Sequence, residues 1–359
     1  MQMPGPADAA RVRFIRLWIG CLAALVFAMV VVGGATRLTQ SGLSIVEWKP
    51  VTGVVPPLSQ SDWQAEFDKY KSIPQYRRVN SGMSLDEFKT IFWWEWSHRL
   101  LGRLIGAAFL LPFLWFSWRG WVDRRLGVAL IGIFTLGAVQ GAVGWWMVAS
   151  GLTERIVVSQ YRLAFHLTLA CLIYAALVWT ADRAATPAQA ATPRRIGFGA
   201  VFLLVLVVVQ IYLGALVAGL HAGLVYNSWP LIDGNLVPPS SSLLFDQPAW
   251  RNFFENPLTV QFDHRMVAYA LVALALLHLA DVLRTAESRR LRTGAVVLAT
   301  AVCAQAMIGI ITLIASAPIA LAMLHQAMAL VALTAATLHA SRATITLASS
   351  PAPQLASGY

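Results

Sequence analysis

Long runs of apolar residues, bounded by arginines and acids, organise the chain. Residues Leu17 to Thr36 carry no charge and follow Arg11, Arg13 and Arg16. A short run of that kind would be a signal peptide, but this one rises about 30 Å as a helix, enough to span a bilayer, and lacks a clear cleavage site. It is therefore an anchor that stays. Further uncharged stretches run from Leu104 to Trp118, Leu126 to Thr153, Leu163 to Ala181, Ile196 to Asp233, Met266 to Ala280 and Thr293 to Ser341. The last is too long for one span and suits two, with the break at Ser316-Ala317-Pro318. The pattern predicts an all-α integral membrane protein of eight transmembrane helices.

Composition agrees with that pattern. Of the 359 residues 58% are hydrophobic and 12% charged, and the mean hydropathy is +0.63. A soluble domain carries about twice that share of charge, so the surroundings are membrane lipid. The three cysteines, Cys21, Cys171 and Cys303, all fall inside apolar runs, which excludes a disulfide-stapled secreted fold. The net charge of +10 comes in small separated basic groups with no continuous face, so it does not predict a nucleic-acid partner.

The charge encodes topology instead. With the amino terminus inside, the inner segments hold Arg11, Arg13 and Arg16; Arg119, Arg124 and Arg125; Arg183, Arg194 and Arg195; Arg284, Arg289, Arg290 and Arg292; and Arg342. The short outer loops hold only Arg155, Arg162 and Arg251. Basic residues collect in cytoplasmic loops, so both termini are predicted to be cytoplasmic, in a bacterial inner membrane. The long first outer loop, 37–95, is nearly balanced in charge, and long loops obey the rule poorly.

The chain also repeats itself. Ser41-Gly42-Leu43 leads to Trp48, Pro50, Gly53 and Pro56-Pro57; Ala222-Gly223-Leu224 leads to Trp229-Pro230, Gly234 and Pro238-Pro239. Ser97-His98-Arg99 answers Asp263-His264-Arg265, Gln140 and Gly144 answer Gln305 and Gly309, and His166 answers His325. These landmarks keep one order at offsets from about 181 down to 159. They predict two tandem four-helix halves, 1–187 and 188–359, joined near Ala184 to Pro193. Four spans is an even number, so the halves share one orientation and should be related by a pseudo-twofold axis along the membrane normal.

The repeat sorts the seven histidines. His98 and His264 sit at the outer end of the second helix of each half, and His166 and His325 near the outer end of the fourth. One His at a helix end is ordinary interfacial polarity; four, duplicated in register, form two facing pairs. Two imidazoles facing each other in a four-helix bundle can ligate a haem iron from both sides. Zinc would need three or four ligands, and no Cys or third His lies near in sequence. His278 and His339, near the inner face, are read as lacking partners, and His221, aligned with Gln40, as a loop residue.

The halves differ beside those histidines. The first reads Glu95-Trp96-Ser97-His98 and the second Gln261-Phe262-Asp263-His264. Three residues apart on a helix, Glu95 is expected to point with His98 into the first pocket, on a helix begun by a Ser84–Glu87 capping box. A carboxylate beside one haem and an amide beside the other predicts chemistry at the first site and an electron-transfer or structural haem at the second. Arg37, Arg99, Arg103 and Arg265 lie at the same level as candidate partners of haem propionates, and interfacial anchoring explains them nearly as well.

At these residues the sequence resembles the haem A synthase family, in the type found in mitochondria and related Gram-negative bacteria. The motifs are Gly33-Gly34-Ala35-Thr36-Arg37-Leu38-Thr39, Gly42-Leu43-Ser44 with Trp48-Lys49-Pro50, Glu95-Trp96-Ser97-His98-Arg99 and Asp263-His264-Arg265. The resemblance implies conversion of haem O to haem A for haem-copper oxidase biogenesis, by oxidation of the C8 methyl to a formyl group through successive hydroxylations. It implies haem O as substrate between His98 and His166, haem b between His264 and His325, and catalysis involving Glu95. Haem O synthase as supplier, an electron acceptor and a homo-oligomer are compatible with it. Some bacterial members carry a cysteine pair in the first outer loop, which this chain lacks. The competing reading is a dihaem b-type cytochrome passing electrons from quinol; such proteins place one haem toward each face, whereas the four paired histidines here are all outer. A transporter is a further alternative, but every Asp and Glu lies at a span end or in a loop.

Overall fold

The computed structural model describes residues 6–184 and 193–348 of the chain. The expected joint near Ala184 to Pro193, and with it the boundary between the halves, falls mostly outside the described residues. The first span is α1 (Pro6–Leu38). Two short helices of the loop 37–95, called outer after the side expected from the charges, α2 (Gln60–Lys71) and α3 (Pro74–Arg78), precede α4 (Leu85–Trp118), α5 (Arg124–Ala149) and α6 (Gln160–Arg183). The second set is α7 (Arg194–Gly219), then α8 (Ala222–Val225), α9 (Ser240–Leu243) and α10 (Asn252–Glu255) in its outer loop, then α11 (Pro257–Thr285), α12 (Arg289–Ile314) and α13 (Ile319–Ala348). Eight of these, α1, α4, α5, α6, α7, α11, α12 and α13, are long and apolar enough to cross a membrane. Helices satisfy their own backbone groups, which lipid cannot.

Local chemistry places several helix ends. Ser84 and Glu87 form the expected capping box, each side chain bonded to the other's backbone N–H, so α4 runs unbroken from the outer loop through Glu95 into the membrane. Ser59 and Asp62 do the same for α2. Asp123 accepts from the Leu126 N–H at 2.8 Å to start α5, and Asn256 with Pro257 starts α11. The break between α12 and α13 falls at Ser316 and Ala317, both with positive φ, just before Pro318. One expectation changes: the uncharged stretch from Ile196 to Asp233 is not all span. α7 ends at Gly219, and the remainder folds back as outer loop, because the absence of charge does not distinguish a helix from an apolar turn.

Each set of four closes on itself: α1 packs on α4 and α6, and α5 on α4 and α6; α7 packs on α11 and α13, and α12 on α11 and α13. α4 and α6 are thus diagonal across one bundle, as α11 and α13 are across the other. The sets meet where α6 packs on α7 and α13, and α1 on α13. A buried core of Ile19, Leu22, Leu177, Leu203, Leu298 and Leu333 runs through both. The two outer loops differ. The first packs Phe67, Tyr70, Ile73, Phe88 and Phe92 into an apolar cluster over α4 and α5. The second is held by amides, with Asn252 and Asn256 bonded to Asp246, Ala249, Ser242 and Leu243 carbonyls.

Candidate functional site

Six of the seven histidines rest on a glycine of a neighbouring helix. A Cβ added at Gly33 (α1) would lie 2.7 Å from Cε1 of His98 (α4), and one at Gly144 (α5) 3.0 Å from Cε1 of His166 (α6). In the second bundle Gly214 (α7) stands in the same relation to His264 (α11) at 3.0 Å, and Gly309 (α12) to His325 (α13) at 2.7 Å. Any side chain there would collide with the ring, so glycine lets the imidazole lie against the neighbouring backbone. Nδ1 of His98, His166 and His325 is sealed without a partner, leaving Nε2 as the nitrogen for a ligand. Each pair comes from diagonal helices, and no hydrogen bond joins His98 to His166 or His264 to His325 among the described residues.

Amides from adjacent helices steady three of the four. Gln140 donates to the His166 carbonyl at 3.0 Å, Gln305 to that of His325 at 3.0 Å and Gln210 to that of His264 at 2.9 Å. The Gln140 and Gln305 landmarks of the repeat thus have a structural reason. Gln210 also reaches the His264 ring, 3.0 Å from Nδ1. Met29 stands at the corresponding place on α1, so His98 alone has no such tether.

Glu95 is buried at 3% exposure, and both its oxygens are engaged. Oε2 accepts from the Ser44 hydroxyl and the Ile45 N–H, each at 2.8 Å. Oε1 accepts from Arg99 Nε at 3.1 Å and Nη2 at 2.6 Å. Arg99 in turn donates to the carbonyls of Ile45 and Glu47. The second half repeats the arrangement with the polarity reversed. Gln261 donates to the Ala222 and Tyr226 carbonyls at 3.0 and 2.8 Å, and accepts from Arg265 at 2.8 Å. Arg265 also donates to the Tyr226, Ser228 and Leu231 carbonyls. Sequence reasoning missed Ser44 and Ile45, because only the folded loop brings them to Glu95.

The arginines divide accordingly. Arg99 and Arg265 clamp their loops, and Arg103 donates to Lys49 and Pro50 while its Nη1 is buried and unpartnered. Arg37 donates to the Ala218 carbonyl and so ties the end of α1 to the end of α7. His221 and Gln40 adopt the same left-handed conformation, φ 53° and 55°, which fits their alignment as loop residues ending α7 and α1. Burial and the nearby Arg37 charge push His221 below the ordinary imidazole range. In the first outer loop Lys49 and Lys69 hold the Glu47 carboxyl below its usual value.

One expectation is corrected. His278 and His339 are partners: their Nε2 atoms stand 2.9 Å apart, with ring centroids 5.1 Å apart at 77°. They occupy the inner end of the second bundle, so the paired histidines are not confined to the outer side. A sequence signal existed: each lies fourteen residues after a paired histidine, His264 and His325, and two equal spacings on two helices imply two levels of facing rings. The three cysteines are free and lie in α1, α6 and α12.

Residues 16–337 match the family described as cytochrome oxidase assembly protein, COX15-CtaA. A curated protein of Rhodopseudomonas palustris (strain CGA009) named "Heme A synthase" is 60% identical over 93% of this chain and 90% of its own length. One of the same name from Bradyrhizobium diazoefficiens is 59% identical over 92% of this chain and 91% of its own.

Proposed function

The chain belongs to the haem A synthase family, and from that premise we propose that it oxidises haem O to haem A in the first bundle while the second retains haem b. Eight spanning helices make it a multi-pass membrane protein, and the family makes it an oxidoreductase acting on haem. The observation that carries the assignment of sites is the pair of histidines on diagonal helices, each ring laid on a glycine, built twice in one chain. Two imidazoles are a donor set for haem iron, and each glycine seats a ring against the neighbouring backbone, with Nδ1 sealed in three of the four, so the residues fit the group.

In this reading His98 and His166 hold haem O, and His264 and His325 hold haem b. The haem irons supply one-electron redox chemistry. The protein contributes ligation, orientation and proton acceptance. Oxidising the C8 methyl to a formyl group, through two hydroxylations and loss of water from the geminal diol, removes four electrons, which an electron acceptor must take, and with water as the oxygen source releases four protons at the ring edge. Glu95, met only by donors, is the acceptor group at this level of the first bundle, and Gln261 puts an amide at the same place in the second. Arg99 holds Glu95 and the loop together, which fixes the carboxylate relative to His98 on the same helix. Arg37 and the unpartnered Nη1 of Arg103 are the cations left for propionates; Arg99 and Arg265 are engaged by loop carbonyls.

The two four-helix halves, 1–187 and 188–359, are read as copies related by an axis along the membrane normal. Support comes from the matching positions of the glycine–histidine pairs and of the inter-helix contacts. Arginine placement supports a bacterial inner membrane with both termini cytoplasmic. Haem O would come from a haem O synthase. Co-expression with that enzyme, followed by chromatography of extracted haems, tests the assignment: haem A should form in wild type and vanish in His98→Ala or His166→Ala. Unchanged haem A in both variants would overturn the placement of the substrate.

A further inference from the structure

The inner half of the second bundle is built like its outer half. A Cβ added at Gly199 (α7) would lie 2.7 Å from Nδ1 of His278 (α11), and one at Gly294 (α12) 2.8 Å from Nδ1 of His339 (α13). The four helices have the same roles as at the outer level: α7 and α12 supply the glycines, and the diagonal helices α11 and α13 supply the imidazoles. Fourteen residues separate the two levels on each histidine helix, about 21 Å along the axis. His339 is 1% exposed and its Nδ1 is sealed without a partner, as in three of the outer four.

The first bundle has nothing of this at its inner end. The positions corresponding to His278, His339, Gly199 and Gly294 are Pro112, Thr180, Trp18 and Ala129. Trp18 packs edge-on against Phe109 and Phe116, and Phe116 stacks on Trp121, so aromatic rings fill that space. In the second bundle the corresponding level is lined by Ala200, Ala286, Ala295, Ala340 and Ala343 together with Ile196, Val282 and Leu291. Ionisable side chains inside lipid-embedded helices face the bundle interior, pair with one another and mark functional sites, and these two face inward and pair. One turn further toward the inner face lie Arg195 before Gly199, Arg290 before Gly294 and Arg342 after His339; Arg195 is paired with Asp281, and Arg290 and Arg342 with Asp182. This arrangement mirrors Arg37, which follows Gly33 at the outer level.

We propose that the second bundle holds an additional haem of the b type, ligated by His278 and His339 near the inner membrane face. Their direct hydrogen bond at 2.9 Å is the closed form of this site. Iron needs each nitrogen at about 2 Å, as other imidazole-bound metals do, so the rings part by about 1 Å to admit it. A bare metal ion would need further ligands, and among the described residues no group of three or more His, Cys, Asp or Glu side chains could hold one.

The proposal borrows from the outer sites only their manner of construction, and its test reads the levels separately. The full chain is purified as the His98→Ala/His166→Ala variant, so that haem can bind only to the second bundle. Pyridine haemochrome analysis should find about two b-type haems per chain, and redox titration two one-electron components. Adding His278→Leu or His339→Leu should remove one haem and one component, and adding His264→Ala instead should remove the other. Haem content and titration unchanged by the inner substitutions would overturn the proposal, as would a bare transition metal found at that pair. Haem retained in full by the His264→Ala variant would count against the outer reading and not against this one. Should the inner variants fail to accumulate, the titration of the parent decides: two components support the site and a single one overturns it.

Discussion

The two bundles share one plan and differ at the positions that would separate a ligand that is changed and released from one that is kept. Around Glu95 the first outer loop turns N–H and hydroxyl donors inward; around Gln261 the second turns carbonyls inward. One atom of difference, oxygen for nitrogen, is matched by the loop that meets it. His264 has an amide tether from Gln210, whereas Met29 takes the corresponding position on α1 in the first bundle. α5 is exposed at Gly137 and Gly141, two turns and one turn below Gly144, where nothing lies within 4 Å; the corresponding positions on α12 are Val302, which is buried, and Ala306. The second bundle is closed and cross-braced, and the first is open on its α5 side.

The largest effects come from removing the ligands of one bundle at a time. His264→Ala or His325→Ala should remove the outer haem b component and stop conversion, while His98→Ala should stop conversion and leave that component in place. Identical spectral losses from both kinds of variant would break the division of labour. Next come the cradles: Gly33→Val should obstruct His98, and Gly214→Val should obstruct His264, each overpacking by about 1–3 kcal/mol. Haem A yield should fall alone in the first, and haem b content in the second.

Exchange of the acid and the amide gives the more specific comparison. Glu95→Gln should lower haem A formation by about 10²-fold or more with both bundles still loaded, since a positioned base contributes about 10²–10⁴. Full conversion would return Glu95 to a purely structural part in holding the loop. Gln261→Glu places a carboxylate against two carbonyls and should cost about 1–3 kcal/mol, seen as a lower melting temperature of the haem-loaded chain without a gain in activity. The smallest effect is expected at the tether. Gln210→Leu removes the contacts with the His264 carbonyl and ring, about 1–2 kcal/mol, and should speed haem b loss, while Met29→Gln should slow the release of haem from the first bundle.

Much of this was legible in the residues. The eight spans followed from runs of uncharged residues, since lipid admits only backbone that satisfies itself, and the Ser84–Glu87 box marked where α4 begins because capping is local. The duplicated histidines, and the glutamines and glycines of the repeat, pointed to the paired sites because they recur in register. The end of α7 was not legible, since Leu220 to Ile232 is as free of charge as a span. Nor was the environment of Glu95. Helix spacing fixes which face the side chain leaves from, but its partners Ser44 and Ile45 lie some fifty residues earlier.

By itself, then, the sequence determined the helices and their number, and it pointed to a duplication and to four histidines in two pairs, all of which depend on periodicity and on order along one chain. Only the tertiary structure decided which groups meet across helices. It set Glu95 on loop donors and Gln261 on loop carbonyls, laid six imidazoles on six glycines, and brought His278 to His339. Those encounters depend on how helices far apart in sequence turn toward one another, and a linear pattern holds the spacing along each helix but not the rotation between them.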